Sequence, residues 1–157
     1  MSADEQGRPA VRIRPFVDAD QAAARGLVLV GLGDRFGWVD ETANPDLDDI
    51  GASYLTRGHV FVVAESGGEI VGTGALLTEG PGVGRLARLS VSGHHRRRGI
   101  GRALIDHLVA AARRRDFGQL LVETNDVWDD AIALYRSCGF VEIGRAGGEA
   151  HLALELR

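Results

Sequence analysis

The sequence contains no lysine, and all 18 of its Lys or Arg positions are arginine. A chain without lysine has no Schiff-base lysine, no phosphate-binding lysine of a P-loop and no lysine general base. These absences exclude P-loop nucleotide hydrolases, kinases and pyridoxal-dependent enzymes. The missing lysine and the many Ala, Gly, Val, Asp and Arg residues also lead us to expect a bacterial protein from a GC-rich genome.

Cysteine and long apolar runs are equally scarce. Cys138 is the only cysteine, so an internal disulfide is excluded, and no Cys/His spacing predicts a metal site. No apolar run approaches the roughly 20 residues that cross a bilayer, so no membrane partner is expected. The N-terminal sequence MSADEQGRPA lacks the apolar core of a signal peptide, and we expect a cytoplasmic protein.

The composition is that of a soluble globular protein. The chain has 157 residues, of which 45% are hydrophobic and 25% are charged. This length suits a single domain, 1–157, with residues 1–9 expected to be flexible. The net charge of −4 argues against a nucleic-acid partner. The charge is unevenly spread, because arginines cluster at 94–102 and 113–115 whereas acids cluster at 34–49.

Hydrophobic periodicity predicts an alternation of strands and helices. One helix is predicted from a capping Asp18 to about Leu32, where Gly33 ends it, and a second from Pro45 to about Thr56. The other predicted elements are strands at 10–14, 59–65, 69–79, 85–92, 119–124, 140–145 and 151–156, and helices at 99–115 and 129–137. The strands within 59–92 form an antiparallel meander. This order predicts a mixed α/β fold, with a mostly antiparallel sheet of about seven strands and helices on both faces.

The segment LSVSGHHRRRGIGRAL, residues 89–104, leads a strand through a glycine- and arginine-rich turn into a helix. Amide groups at a helix N-terminus are free and attract negative charge. Gly99 and Gly101 have no Cβ, so a phosphate can approach the backbone there. The arginines that can add charge-assisted contacts are Arg96, Arg97, Arg98 and Arg102. The turn therefore predicts a pyrophosphate-binding site.

Two other interpretations of this turn stay open. One is a solvated, arginine-rich loop before an ordinary helix. The other is a dinucleotide-binding turn, which needs G-x-G-x-x-G/A, but Leu104 occupies the last position of that pattern. A dinucleotide turn also follows an early strand of a parallel βαβ unit, whereas this turn follows the predicted meander.

Several segments resemble one protein family. Arg96-x-x-Gly99-x-Gly101 resembles the acyl-CoA pyrophosphate motif, R/Q-x-x-G-x-G/A, of the GNAT N-acetyltransferases. AIALYRSCGF, residues 131–140, resembles the A-x-x-L-Y-x-x-x-G-F segment of the same family. VRIRPF near the start and FVVAESGGEIVGTGAL in the middle are also typical of it. The resemblance covers residues 11–156 and implies the GNAT fold, with acetyl-CoA as the acyl donor.

The resemblance also implies roles for individual residues. Main-chain amides of residues 96–102, Ile100 included, would hold the pyrophosphate of CoA. The residues that would lie along the pantetheine arm, like an added strand, are Leu89, Ser90 and Val91. The Val91 amide would stabilise the oxyanion. Tyr135 matches the tyrosine that protonates the leaving thiolate, which suits a phenol of pKa about 10 and a thiol of pKa about 8.5.

One position departs from the family. GNAT proteins often have Asn three residues before the alanine of A-x-x-L-Y, where it contacts the cofactor arm. Trp128 occupies that position here, and Asn125 is the nearby substitute. We therefore expect Asn125 and Trp128 beside the cofactor.

The expected acceptor is an amine, which must lose a proton before it attacks the acetyl carbonyl. Many GNAT relatives supply a glutamate on the strand that enters the cofactor motif, but residues 85–91 contain no acid. Glu79, at the end of the preceding strand, is the candidate base. A solvated carboxylate at a strand end is the alternative for this residue.

Acids and aromatic residues are interleaved in DRFGWVDETANPDLDDI, residues 34–50, where GNAT relatives wall the acceptor cleft. We expect a cationic amine to bind here, with its carbon skeleton against Trp38. The carboxylates that would hold it are Asp40, Glu41, Asp48 and Asp49. For each of these acids, solvation or helix capping is the alternative.

These features together predict an N-acetyltransferase that moves an acetyl group from acetyl-CoA to a primary amine by direct attack in a ternary complex. A small cationic amine is the first interpretation of the acceptor, and a protein amine is an alternative. A non-catalytic domain that binds acyl-CoA as a sensor or interaction module is another, although binding alone needs no proton donor such as Tyr135. Many relatives dimerise, so a homodimer stays open.

Overall fold

A computed structural model describes residue 7 and residues 9–157. The expectation of flexibility at 1–9 falls largely on residues 1–6 and 8, which lie outside the described residues. The strands are β1 (Val11–Pro15), β2 (Val60–Ser66), β3 (Glu69–Gly80), β4 (Val83–Val91), β5 (Gln119–Asn125), β6 (Val141–Ala146) and β7 (Glu149–Glu155). The α-helices are α1 (Gln21–Phe36), α2 (Ile100–Arg114) and α3 (Asp129–Ser137). None of the helices in these ranges combines the length and apolarity that a membrane span requires.

All seven described strands form one sheet, in the order β1-β2-β3-β4-β5-β7-β6. β4 and β5 are parallel, and every other neighbouring pair is antiparallel. Ser66 of β2 pairs with Glu69 of β3, so the turn between these strands has two residues, Gly67 and Gly68. Their φ angles are 59° and 83°. Positive φ at both turn positions matches the strand twist and favours glycine. The predicted meander and the mixed, mostly antiparallel sheet are confirmed.

The sheet has a hydrophobic core on each face. Side chains alternate along a strand, so Val62 and Ala64 of β2 pack on one side while Phe61 and Val63 pack on the other. The first core includes residues of α2 and α3, and the second includes residues of α1. The prediction of helices on both faces is therefore confirmed.

The prediction that Gly33 ends the first helix is wrong. Asp18–Asp20 forms a 3-10 turn, and α1 continues past Gly33 to Phe36. Gly37 caps the end of the helix, with a φ of 79° and an amide that donates to the Gly33 carbonyl at 2.7 Å. A glycine inside a helix costs only about 1 kcal/mol, whereas the left-handed cap at 37 favours glycine strongly.

The second predicted helix is also wrong, because it is divided into two short pieces. Pro45–Leu47 is a 3-10 turn and Gly51–Leu55 is a π-helical turn. The Gln21 side chain interrupts them: its Nε2 donates to the Leu47 carbonyl at 2.7 Å, and its Oε1 accepts from the Ile50 amide at 2.9 Å. These bonds satisfy backbone groups that a continuous helix would pair internally.

Candidate active site

The sheet splits between β4 and β5. The two parallel strands pair only where Val83–Arg85 meets Gln119–Leu121. β4 then continues to Val91 and β5 to Asn125 without pairing to each other. A cavity of about 1010 Å³ is lined by residues of both unpaired segments. We call this gap the split.

A β-bulge at Arg88 accompanies the split. Thr73 pairs with Ser90 and Ala75 pairs with Ala87, so β4 carries one more residue than β3 over this stretch. Arg88 is the residue with left-handed backbone, φ 53°, and its carbonyl accepts a hydrogen bond of 2.8 Å from the buried Thr73 hydroxyl. A bulge bends its strand and increases its twist, which turns the end of β4 away from β5.

The free edge of β4 faces the split. The Ser92 amide donates to the Val71 carbonyl at 2.8 Å, so it points toward β3. Backbone groups alternate in direction along a strand, so the amides of Val91 and Leu89 point the other way, toward the split. This edge can hydrogen-bond an extended ligand as if it were another strand.

The predicted pyrophosphate turn lies at the same cavity. Gly99 has a φ of 78°, and a Cβ built on it would meet nothing within 4 Å. A Cβ on Gly101 would lie 3.0 Å from Leu134, so this residue is constrained by packing against α3. The first hydrogen bond within α2 runs from the Ala103 amide to the Gly99 carbonyl, 3.0 Å. The amides that precede it have no acceptor within the helix and suit an anion.

The arginines of this turn divide into two groups. Cavity-lining residues of the turn are His95, Arg96, Arg97, Gly99, Ile100, Gly101 and Arg102. Arg98 is not part of this lining, and its guanidinium donates to the Pro9 carbonyl at 3.3 Å. Arg102 also donates to the Ser137 hydroxyl at 2.8 Å, which joins the start of α2 to the end of α3.

Tyr135 lies on α3 and lines the cavity from the other side of the split. Its side chain is only 6% exposed and packs edge-to-face on Phe140, with ring centroids 5.6 Å apart. Burial raises the pKa of the Tyr135 phenol above its usual value, and the nearby Cys138 adds to the rise. The phenol is therefore protonated at neutral pH and can act as a proton donor.

The cavity contains a carboxylate that the sequence analysis missed. Glu123 of β5 lines the cavity and forms an ion pair with Arg85. His151 of β7 places its Nδ1 3.5 Å from the Glu123 carboxylate. Glu79, the predicted base, pairs with the same Arg85 but is not among the described residues that line the cavity. The alternating burial along β5 could have identified this residue, because Glu123 lies on the opposite face of the strand from the buried Val122 and Thr124.

A second ion pair anchors the bulge, and sequence analysis missed it as well. The Arg88 guanidinium donates to both carboxylate oxygens of Asp46 at 2.6 and 3.0 Å, and the Tyr54 hydroxyl donates to Asp46 at 2.5 Å. Burial alone would raise the pKa of Asp46, but the bonds from Arg88 and Tyr54 outweigh it and hold the pKa below its usual value. The same surroundings, burial foremost, raise the pKa of Tyr54 to about 12.

The residues predicted to hold the acceptor lie elsewhere. Trp38 is 69% exposed, and Asp40 accepts hydrogen bonds from the amide and hydroxyl of Thr42 in its own loop. The Asp48 carboxylate lies 3.5 Å from Arg25, and Asp49 accepts from the Ala52 amide at 3.0 Å. None of the residues proposed from this loop is among the described residues that line the cavity, and they are Trp38, Asp40, Glu41, Asp48 and Asp49. Their role in acceptor binding stays a prediction.

Asn125 and Trp128 both line the cavity. Asn125 Oδ1 accepts from the Val127 amide at 3.1 Å, which shapes the turn between β5 and α3. The Trp128 ring lies 5.4 Å from the Phe36 ring and 4.4 Å from the Arg35 guanidinium carbon. Arg35 also holds Asp130, and its hydrogen bonds lower the pKa of that carboxyl.

We predict that Asp46→Asn destabilises the protein by about 1–3 kcal/mol at pH 7, because it leaves the half-buried Arg88 without its anion. The folded-state pKa of Asp46 is lowered, so its stabilising effect is full above a pH of about 4 and is lost as the pH falls through that lowered pKa. Urea unfolding at several pH values measures both effects. The difference in free energy of unfolding between this variant and wild type should become smaller at acidic pH.

Asp48→Asn is the matched control, because Asp48 is 62% exposed beside Arg25. We expect its free energy of unfolding to stay within about 0.5 kcal/mol of wild type. If Asp46→Asn and Asp48→Asn lower the free energy of unfolding equally, the Asp46–Arg88 pair does not anchor the bulge.

Comparison with known proteins agrees with this geometry. The acetyltransferase (GNAT) domain family matches residues 57–142. N-acetyltransferase 8 of Rattus norvegicus is 42% identical over 115 residues, which cover 69% of this chain and 52% of the relative. The chain therefore spans about half the length of the curated relatives it matches.

Solved structures show the same fold. A GNAT-family acetyltransferase from Staphylococcus aureus Mu50 superposes with a TM-score of 0.87 and 23% identity, covering 94% of this chain and 100% of that one. PaiA N-acetyltransferase of Thermoplasma acidophilum, solved in complex with coenzyme A, has a TM-score of 0.81 and 12% identity and covers 93% and 99% of the two chains. The predictions of a GNAT relationship and of a GNAT fold are confirmed, and the chain belongs to the GNAT acetyltransferase family.

Proposed function

We propose that this chain transfers an acetyl group from acetyl-CoA to a primary amine, by direct attack of the amine in a ternary complex. The observation that carries the proposal is the convergence of three features on one cavity. These are the free edge of β4, the N-terminus of α2 and the buried phenol of Tyr135. We also propose that residues 1–157 act as a single domain.

The surroundings of the split suit the shape and charge of acetyl-CoA. The free amides before Ala103 and the guanidinium groups of Arg96 and Arg97 would bind its pyrophosphate. Backbone groups of Leu89 and Val91 would pair with its extended pantetheine arm. The CoA complex of the Thermoplasma relative, which has the same fold, supports this assignment.

Acetyl-CoA supplies an acetyl group that is activated as a thioester. The Val91 amide, which points into the split, would stabilise negative charge on the acetyl oxygen as the amine attacks. Tyr135 would give its proton to the sulfur of CoA as the thiolate leaves. Its raised pKa suits this role, because the phenol holds its proton until a stronger base forms beside it.

Glu123 is the carboxylate that we propose accepts the proton of the amine. It lies in the cavity, whereas Glu79 does not line it, and Arg85 holds its side chain in place. A water molecule can carry the proton between amine and carboxylate. The adjacent His151 reaches the protein surface and offers the proton a way out.

The acceptor is a primary amine whose ammonium form is attracted to Glu123 before it loses its proton. The remainder of the acceptor would contact α1, whose cavity-lining side chains include Val28, Leu32 and Phe36. This apolar wall favours an amine that carries a hydrocarbon portion. The acceptor that we propose is a small molecule, which would share this cavity with acetyl-CoA.

Tyr135→Phe tests the proton donor, because it removes the hydroxyl and retains the ring that packs on Phe140. We expect kcat to fall by about 10²–10³-fold. The dissociation constant of CoA should change little. Steady-state kinetics with CoA-thiol detection measures the first quantity and calorimetry measures the second. Full activity in this variant would remove Tyr135 from the mechanism.

Glu123→Gln and Glu79→Gln form a matched pair, because both residues bind Arg85 and only Glu123 lines the cavity. We expect Glu123→Gln to lower kcat/KM for the amine by about 10²-fold and to change the shape of its pH profile. Glu79→Gln should keep the wild-type profile. If Glu79→Gln shows the larger loss instead, Glu79 is the base and the assignment of Glu123 is wrong.

A further inference from the structure

The end of α1 and the start of α3 meet at the open end of the split. The Arg35 guanidinium donates to the two carboxylate oxygens of Asp130 at 3.0 and 2.8 Å. The same guanidinium lies over the Trp128 ring, 4.4 Å from its centroid. The Phe36 ring also packs on Trp128, with ring centroids 5.4 Å apart. These four residues line the cavity, and we call them the clasp.

The clasp joins elements from opposite faces of the sheet. α1 belongs to the core on one face, and α3 belongs to the core on the other. Gly31 packs against Ser90 near the end of β4, where an added Cβ would lie 3.0 Å from the Ser90 hydroxyl. Trp128 follows shortly after the end of β5. The clasp therefore bridges the two faces where β4 and β5 are no longer paired.

The clasp can open without unfolding its helices. The Asp130 side chain is 72% exposed and that of Arg35 is 29% exposed, so water and salt compete for both charges. Each helix is held by its own core, independently of this contact. Opening requires only that the side chains of the clasp separate.

We propose that the clasp is a gate over the split, which opens to admit the pantetheine arm of acetyl-CoA and closes behind it. This inference rests on the proposed function. A closed clasp keeps water away from the thioester and places Phe36, part of the apolar acceptor wall, beside the cofactor. The clasp also explains the departure at Trp128, because its broad ring gives α1 a surface to close upon.

A gate differs from an ordinary binding contact in its kinetics. Loss of a direct contact with CoA raises the dissociation rate constant alone. Loss of a gate raises the association and dissociation rate constants together, because the barrier to both passages falls. Arg35 contacts Asp130 by a bidentate bond and lies over Trp128, so it links α1 to the start of α3. A gate requires such a link between the two sides of the opening.

Asp130→Asn tests the gate, and Asp129→Asn is its matched control at the neighbouring position of α3. Stopped-flow measurement of CoA binding should show both rate constants raised by about three- to fivefold in Asp130→Asn. Hydrolysis of acetyl-CoA without an amine should rise as well. Asp129→Asn should match wild type in every measurement. The charge-swapped double variant, Arg35→Asp with Asp130→Arg, should return the rate constants toward wild type.

A rise in the dissociation rate constant alone would overturn the gate and make Asp130 a CoA contact. Unchanged rate constants in Asp130→Asn would also overturn it, provided that wild type binds CoA. Failure of wild type to bind CoA at all would instead contradict the proposed function, so the two failures are distinguishable.

Discussion

β4 and β5 stop pairing beyond Arg85 and Leu121, and the geometry of the candidate site follows from that separation. Two strands that stayed paired to their ends would leave neither a cavity nor a free edge. The bulge at Arg88 bends β4, and the Asp46–Arg88 pair ties that bulge to the segment after α1. Arg85 is the last residue of β4 that pairs with β5, and it forms ion pairs with Glu79 of β3 and Glu123 of β5.

The split also determines which chemistry can meet in one place. It leaves the Val91 amide and the N-terminus of α2 at one cavity, because β4 leads into the turn that begins α2. It brings Glu123 and Tyr135 to the same cavity, because β5 leads into α3. A helix N-terminus, an amide edge, a carboxylate and a buried phenol thus come from two strand–helix connections. α1, with Arg35 and Phe36, and the turn between β6 and β7, with Gly147 and Gly148, approach the cavity from elsewhere in the chain.

Local sequence rules predicted what depends on neighbouring residues. Alternation and glycine-rich turns predicted the meander, and the apolar periodicity of 99–115 predicted α2, because these features are determined by residues close together in sequence. The end of α1 could not be predicted, since Gly33 and Gly37 are both plausible stops and the left-handed backbone at 37 decides between them. The prediction of a second helix was wrong because the side chain of Gln21, which is distant in sequence, hydrogen-bonds the backbone groups that this helix would pair.

The site was predictable only where a motif or a strand order marks it. Glu123 was missed because its importance depends on where β4 and β5 separate, which is a property of the whole sheet. The acidic composition of the 34–50 segment led to the prediction of an acceptor site there. The hydrogen bonds of these acids within the loop, and the ion pair with Arg25, could not be predicted from the sequence. The bacterial source, the cytoplasmic location and the homodimer stay predictions.

Thermal unfolding of the wild-type protein with acetyl-CoA, and in parallel with CoA, NAD and ATP, tests directly whether the split binds acyl-CoA. Ligand at about 100 times its dissociation constant should add about 2.7 kcal/mol to the free energy of unfolding. The expected result is a clear rise in Tm with acetyl-CoA and with CoA, and none with NAD or ATP. A well-folded protein whose Tm is unchanged by acetyl-CoA and CoA would contradict it, because the split would then not be an acyl-CoA site.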